Sequence, residues 1–208
     1  MINTILVEDD LYIQKHFVDR LAADGEFYLV GVFRDAFEAE KHCDATVRLI
    51  LMDVQTQHKH SGLAAAERIK KAFPKIKIVA ATSLVDPQVL ERAKMGAADS
   101  LWYKDGDEGT LMQVVRSTVQ GAHIFPDAPP SVKIGLAASS EFTPAEMRVL
   151  RLLVRGLSYS GIARELCVEA STVKYHVINM LQKTGLENKL QLAIAASEAR
   201  LVVDFTEE

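Results

Sequence analysis

The stretch LILMD, residues 49–53, is a short apolar run that ends in an acid, and similar runs recur along the chain. They predict five strands within the first 120 residues: Thr4–Val7, Tyr28–Val32, Leu49–Met52, Ile76–Ala81 and Ser100–Tyr103. Apolar residues at helical spacing between them predict five helices: Ile13–Ala23, Ala36–His42, Leu63–Ala72, Pro87–Met95 and Thr110–Val119. Because strands and helices alternate, we expect a doubly wound α/β domain with a five-stranded parallel sheet.

The composition is that of an ordinary globular protein. The chain has 208 residues, of which 49% are apolar and 25% charged, so it has enough apolar material to bury a core. No apolar run approaches the roughly 18 residues of a membrane span, and the start, MINTILVEDD, soon reaches acidic residues. We therefore expect a cytoplasmic protein with no membrane partner.

The chain divides after the α/β region. Residues 121–140 are rich in proline, glycine and serine, which breaks both periodicities and predicts a linker between a domain at 1–120 and a second at 141–208. The second domain is predicted to be small and all-α. Its first helix begins at the Thr143-Pro144-Ala145-Glu146 capping sequence and stops at Gly156. Further helices are predicted at Ser160–Leu166, at Thr172–Thr184 and from about Asn188.

Polar side chains follow the predicted strands at their carboxyl ends, where a doubly wound sheet collects its functional groups. They comprise carboxylates, a hydroxyl and an ammonium group: Glu8, Asp9, Asp53, Thr82 and Lys104. Converging carboxylates repel one another, so we expect a hard divalent cation, Mg²⁺ or Mn²⁺, among them. With that metal, a lysine and a hydroxyl, Asp53 has the partners that a carboxylate nucleophile needs to accept a phosphoryl group.

The order and spacing of four segments resemble the receiver domain of two-component response regulators: ILVEDD (5–10), LILMD (49–53), VAATS (79–83) and LWYKD (101–105). The resemblance covers about residues 1–120 and implies a flavodoxin-like fold in which Asp53 accepts a phosphoryl group from a sensor histidine kinase. It implies that Thr82 and Lys104 sense this group. The implied metal ligands are Glu8, Asp9, Asp53 and the backbone carbonyl of Gln55.

The loop after Asp53 departs from the family pattern. Relatives usually carry Met-Pro three and four residues after the phospho-acceptor and a glycine eight residues after it, whereas this chain has Thr56-Gln57 and places Gly62 nine residues away. We therefore expect a loop one residue longer. It contains His58 and His60, for which a solvated surface position and a metal-binding or pH-sensing role are both considered.

The second domain also resembles a known family. The sequence FTPAEMRVLRLLVRGLSYSGIARELCVEASTVKYHVINMLQKTG (142–185), continuing to about Ala196, resembles the LuxR-type output domain of NarL/FixJ-type response regulators. The helices predicted at Ser160–Leu166 and Thr172–Thr184 form a helix-turn-helix, whose second helix would lie in the major groove of double-stranded DNA. Residues 146–189 are net basic, which suits that partner. The predicted DNA-contacting residues are Thr172, as a helix cap, with Lys174, Tyr175, His176, Ile178 and Lys183.

Two features of this domain leave alternatives open. Ile178 stands where relatives often have a polar or basic side chain, so it is either a contact for a thymine methyl group or simply an exposed isoleucine. The last helix carries Leu190, Ile194 and Leu201, an apolar stripe that would pack on its own domain or pair with a second copy. We expect a homodimer, at least in the active state.

These patterns favour a transcription factor switched by phosphorylation of Asp53. The longer loop, and Leu101 in place of an aromatic residue that usually swings inward on activation, motivate an alternative, a DNA-binding regulator that does not depend on phosphorylation. A metal-dependent phosphohydrolase with Asp53 as nucleophile is disfavoured, because Gln55 stands where its second acid is needed. We therefore predict that the protein is not an enzyme.

Overall fold

The computed structural model describes residues 1–106 and 108–202, with Glu108 described by its backbone alone. Contacts divide the chain into two compact units, and the main boundary falls between Ala128 and Pro129. None of the described helices is long and apolar enough to cross a membrane.

The first unit alternates strands and helices along the chain. Its strands are β1 (Ile2–Val7), β2 (Phe27–Phe33), β3 (Leu49–Asp53), β4 (Lys77–Thr82) and β5 (Ser100–Tyr103). Its helices are α1 (Leu11–Asp24), α2 (Ala36–Lys41), α3 (Gly62–Ala72), α4 (Pro87–Arg92) and α5 (Glu108–Val119). The strands form one parallel sheet in the order β2-β1-β3-β4-β5. The predicted sheet is therefore present, with strand limits within two residues of those expected.

The order of the strands determines which edge of the sheet can bind a ligand. The chain moves outward from β1 in one direction to β2, and in the other through β3 to β5. The carboxyl ends of β1 and β3 thus lie side by side at the switch in strand order, where doubly wound sheets bind their ligands. Every residue of β3 is buried, which fits a central strand covered on both faces.

The helix predicted at Pro87–Met95 is shorter than expected. Regular α-helix ends at Arg92, and Ala93–Ala97 continues as a wider π-type turn. Gly96 closes this turn with a φ of 112°, a value that a residue with a side chain rarely adopts. The glycine therefore ends the helix before β5.

The second unit contains four helices and a small hairpin. The helices are α6 (Pro144–Val154), α7 (Tyr159–Leu166), α8 (Ala170–Thr184) and α9 (Lys189–Glu198). Thr143 caps α6 by the predicted capping box, in which its hydroxyl accepts from the Glu146 N–H and Glu146 accepts from the Thr143 N–H. The apolar faces of these helices pack around a common core.

The hairpin lies where we predicted a linker without regular structure. It consists of β6 (Lys133–Ile134) and β7 (Ala137–Ala138), so the second unit is not wholly helical. Ile134 is fully buried in the core of the unit, and the Leu136 N–H donates to the Thr184 carbonyl at 2.9 Å. These contacts join distant parts of the chain, which is why local composition did not reveal the hairpin.

Candidate functional site

The carboxyl ends of β1, β3 and β5 form an acidic pocket. Lys104 follows β5, and its Nζ lies 2.6 Å from Glu8 Oε2 and 2.8 Å from Asp53 Oδ2. Glu8 and Asp53 are buried and Asp9 is half-buried, and one carboxylate oxygen of each lies within 4.8 Å of the others. The structure therefore brings together three carboxylates and one ammonium group, as the sequence predicts.

The charges in this pocket are not balanced. Burial, together with the nearby Asp53, raises the pKa of Glu8 to about 7 against the opposing effect of Lys104. Burial also raises the pKa of Asp53, although Lys104 favours the ionised form. Burial acts to lower the pKa of Lys104, but the two carboxylates outweigh it and that pKa is raised. Oxygen donors with excess negative charge are what a hard divalent cation requires, so these residues fit such an ion.

The remaining predicted residues of this site lie beside Asp53. Thr82 ends β4 and is fully buried, and its carbonyl accepts from the Lys104 N–H at 2.8 Å. Asp53 pairs in register with Ala81, which places it one position from Thr82 across the sheet. The Gln55 N–H donates to Asp53 Oδ1 at 3.3 Å. The role predicted for the Gln55 carbonyl remains a prediction.

The loop after Asp53 packs its glycine against the backbone of Asp53. A Cβ atom on Gly62 would lie 1.9 Å from the Asp53 carbonyl oxygen, so only glycine fits there. The extra length is taken up by His58 and Lys59, which both have a φ of 61° in the left-handed region. Both residues are exposed, so the tip of the loop lies at the surface while Gly62 lies against Asp53.

The two histidines of this loop occupy different environments. His58 is exposed, as expected for a solvated loop. His60 is half-buried, its Nδ1 lies 2.5 Å from Asp35 Oδ2, and its ring stacks on Phe37 at a centroid distance of 4.2 Å. The solvated interpretation is therefore wrong for His60, because side chains distant in sequence enclose it.

The side chain of Leu101 in β5 is buried. It is only 1% exposed, and the adjacent Trp102 and Tyr103 are also buried. A side chain that is already inside cannot swing inward. The activation movement implied by the family resemblance is therefore not available to Leu101.

In the second unit, α7 and α8 form the predicted helix-turn-helix. The chain reverses at Cys167, which has a left-handed φ of 53°, and α8 begins at Ala170 with Glu169 as its N-cap. Thr172 is therefore not the cap. The Thr172 N–H and the Val173 N–H both donate to the Glu169 carbonyl, so the helix has already started before Thr172.

The outward face of α8 agrees largely with the predicted DNA-contacting surface. Val173, Val177 and Met180 are fully buried, as predicted for the core face. The exposed residues on the other side include Thr172, Lys174, Tyr175 and Ile178, whereas His176 is half-buried.

Lys183 is turned toward its own domain. Its Nζ lies 2.7 Å from the buried Glu146 Oε2 and 2.8 Å from the Glu141 carbonyl oxygen. Lys183 therefore neutralises a buried acid, and the structure does not support its place among the DNA contacts.

The apolar residues of α9 lie on two different faces, and only one of these faces holds residues of the predicted stripe. Leu192 and Ala196 are fully buried and pack on the domain, whereas Leu190 is 65% exposed and Ile194 is 48% exposed. Leu201 lies beyond the end of α9 and is buried. It does not share the exposed stripe because the helix ends at Glu198, before the turn that would align it.

Comparison with known proteins assigns the chain to a family. The model of the response regulator receiver domain matches residues 4–116, more than half of the chain. The chain belongs to the response regulator family. The model of the bacterial regulatory proteins of the luxR family matches residues 140–196. This chain is therefore a response regulator with a LuxR-type domain, which confirms the predicted family and function class.

Relatives resemble this response regulator over nearly their whole length. Response regulator protein VraR of Staphylococcus saprophyticus is 27% identical over 208 residues, and VraR of Staphylococcus aureus is 28% identical over 207 residues. Both alignments cover 97% of this chain and 99% of the relative.

Solved structures share the fold. RcsB of Salmonella enterica serovar Typhimurium, bound to promoter rprA with the phosphomimetic BeF3⁻, has a TM-score of 0.59 and 23% identity over 95% of this chain and 98% of that chain. A structure of two RcsB dimers bound to two parallel DNAs has a TM-score of 0.61 and 21% identity over 94% of this chain and 98% of that chain. These likenesses confirm the predicted fold class.

The sequence did not indicate the contacts of one group of residues around this response regulator's pocket. Arg34, Asp35 and His60 contact the loops that carry the predicted metal ligands. The capping pattern of Asp35 before α2 was a weak local signal. No local sequence signal indicated the contacts of Arg34 and His60, because these contacts depend on how the ends of neighbouring strands meet.

Proposed function

We propose that this response regulator is a transcription factor controlled by phosphorylation of Asp53. The observation that carries the proposal is the convergence of Glu8, Asp9 and Asp53 around Lys104. A Mg²⁺ or Mn²⁺ ion, held by the three carboxylates and the Gln55 carbonyl, would supply positive charge to the transferring phosphoryl oxygens.

The chain's own groups account for the acceptor chemistry. An Asp53 carboxylate oxygen attacks the phosphorus of a phosphohistidine on a sensor kinase, a P–O bond forms, and the P–N bond to the kinase breaks. The Lys104 ammonium already lies 2.8 Å from Asp53 and neutralises charge on the phosphoryl oxygens. The Thr82 hydroxyl, at the end of the adjacent strand, holds the product.

The second unit provides the DNA-binding half of the proposal. The α8 helix would lie in the major groove with Lys174, Tyr175 and Ile178 facing the DNA. RcsB, which shares this fold, is described as dimers bound to DNA. We propose that phosphorylation shifts this chain toward a dimer that binds double-stranded DNA.

Intact-mass measurement tests the phosphorylation step. Wild-type protein and Asp53→Asn are incubated with acetyl phosphate and Mg²⁺. We expect the wild type to gain one acid-labile phosphoryl group and the variant to gain none. No gain by the wild type, or an equal gain by Asp53→Asn, would contradict the proposed acceptor.

The buried Leu101 favours a second candidate, a regulator of the same fold that binds DNA without phosphorylation. Affinity for a DNA fragment from the gene's own upstream region, measured with and without acetyl phosphate, separates the two. A large increase in affinity that Asp53→Asn abolishes supports control by phosphorylation. Equal affinity in both conditions supports the second candidate.

A further inference from the structure

The turn from β2 into α2, which runs from Arg34 to the first helical residue Ala36, contacts the loops on both sides of the acidic pocket. On one side, the Arg34 guanidinium donates two hydrogen bonds to the Asp9 carbonyl, at 3.0 and 3.2 Å. Asp9 supplies one of the three converging carboxylates. The turn therefore holds the backbone of one predicted metal ligand.

On the other side, the same turn holds the loop after Asp53. The Gln57 N–H donates to the Arg34 carbonyl at 3.1 Å, and the Ala36 N–H donates to Thr56 Oγ1 at 3.1 Å. Thr56 is 2% exposed, and its hydroxyl donates to the His60 carbonyl at 3.2 Å. The residues that make these bonds, Thr56 and Gln57, come directly after Gln55, whose carbonyl is a predicted metal ligand.

His60 completes this attachment through its side chain. Its Nδ1 lies 2.5 Å from Asp35 Oδ2, and its ring lies nearly parallel to that of Phe37. Asp35 is 5% exposed and uses its other oxygen to cap α2, accepting from the Phe37 and Glu38 N–H groups at 3.0 Å. One buried carboxylate thus joins the start of α2 to the end of the loop.

We propose that His60 is a positioning residue for the metal site. His58 and Lys59 lengthen the loop and adopt left-handed backbone conformations. The His60–Asp35 contact anchors the far end of that insertion, so the segment from Gln55 to Thr56 keeps a single position. The inference rests on the proposed function, since it concerns the cation that phosphorylation of Asp53 requires.

Calorimetric titration of the full-length protein with MgCl2 tests this role. The variants are His60→Ala, which removes the anchor, and His60→Asn, whose amide can replace the Nδ1 donor. His58→Asn is the matched control, because His58 is exposed and asparagine tolerates its left-handed backbone. We expect His60→Ala to bind Mg²⁺ about tenfold more weakly, since groups that orient metal ligands typically have effects of this size. His60→Asn should recover most of the loss, and His58→Asn should match the wild type.

A purely structural role for His60 predicts a different pattern. In that case His60→Ala would lower the unfolding temperature in EDTA but leave the Mg²⁺ affinity of the folded protein unchanged. This result would overturn the inference. If His60→Ala does not fold, Asp35→Asn replaces it, because asparagine keeps the helix cap while losing the carboxylate that faces His60. Absence of Mg²⁺ binding by the wild type contradicts the proposed function itself, whereas equal binding by wild type and variants contradicts only the role of His60.

Discussion

Glu8 shows how the environment of a single residue makes the stability of the protein depend on pH. It is 1% exposed and shares Lys104 with Asp53. Burial, reinforced by Asp53, raises its pKa from 4.5 to about 7. Folding therefore takes up a proton between these two pH values, and the free energy of unfolding falls as pH rises through that window.

Glu8→Gln should remove this pH dependence. We expect the variant to unfold at a higher temperature than the wild type at pH 8 in EDTA. At this pH the wild type buries an ionised carboxylate, which destabilises the folded state, whereas the variant buries a neutral amide. At pH 5 the two proteins should unfold at similar temperatures, since Glu8 is then protonated in the folded state. Thermal denaturation at both pH values checks this, and parallel curves for the two proteins would contradict the raised pKa.

Ile178 tests how the LuxR-type domain recognises DNA. The side chain is 42% exposed on the outward face of α8, where an apolar contact with a thymine methyl group is available. In a binding site selected from random DNA, replacing the contacted thymine with deoxyuridine should weaken wild-type binding about fourfold, the effect of losing one buried methyl group at about 0.8 kcal/mol.

Ile178→Ala provides the comparison for this replacement. It should bind the thymine and deoxyuridine sites with equal affinity, because it has lost the contacting group. An equal loss in wild type and variant would show that Ile178 is simply an exposed residue.

At the scale of elements, α8 carries two lysines with different surroundings. Lys174 is exposed on the outward face, whereas Lys183 lies against the buried Glu146 at the other end of the helix. The charge of Lys183 is partly neutralised within the domain. Basic residues on one helix therefore cannot be counted equally as DNA contacts.

Alanine substitution should separate the two lysines. Lys174→Ala should weaken DNA binding and lower the salt dependence of the binding constant by about one unit, the effect of losing one phosphate contact. Lys183→Ala should lower the free energy of unfolding by about 2 kcal/mol, because Glu146 loses its cationic partner. Salt-dependent DNA titrations and urea denaturation measure both effects. Similar salt slopes for the two variants would contradict the assignment.

The elements were predictable to different degrees. The five parallel strands and the capping box of α6 follow from local patterns, and the structure has them. The start of α8 was misplaced because Ser171 and Thr172 are favoured caps, although the helix begins at Ala170. Local preference is weak, and the helix begins two residues earlier, where the Glu169 carbonyl accepts from the Thr172 and Val173 N–H groups.

At the scale of the whole molecule, α9 offers a surface for assembly. Leu190 and Ile194 are exposed large apolar residues on one side of the helix, while Leu192 and Ala196 serve the core. Two residues of the predicted stripe are therefore available for contact with a second copy, whereas residues outside the stripe pack the core. Exposed apolar side chains placed together on a helix are typical of a contact with another protein chain.

The double variant Leu190→Glu and Ile194→Glu should keep the fold and lose assembly on DNA. Two carboxylates placed in an apolar interface repel one another and resist dehydration. Sedimentation velocity of the phosphorylated protein with a DNA fragment should show one copy bound in place of two. Gln191→Glu, which adds a charge at an exposed position about 100° around α9 from Leu190, should behave as the wild type. Unchanged stoichiometry in the double variant would place the dimer contact elsewhere.

The sequence by itself determined the fold class, the response regulator family and the set of charged groups around Asp53. Strand periodicity, helix caps and acids at strand ends are local features, and each is legible over a few residues. Only the tertiary structure decided that His60 is anchored to Asp35, that Lys183 neutralises Glu146 and that the hairpin at residues 133–138 docks on the Thr184 carbonyl through the Leu136 N–H. Each of these depends on contacts between residues far apart in sequence, whose partners are set by how strands and helices pack and not by the neighbouring residues.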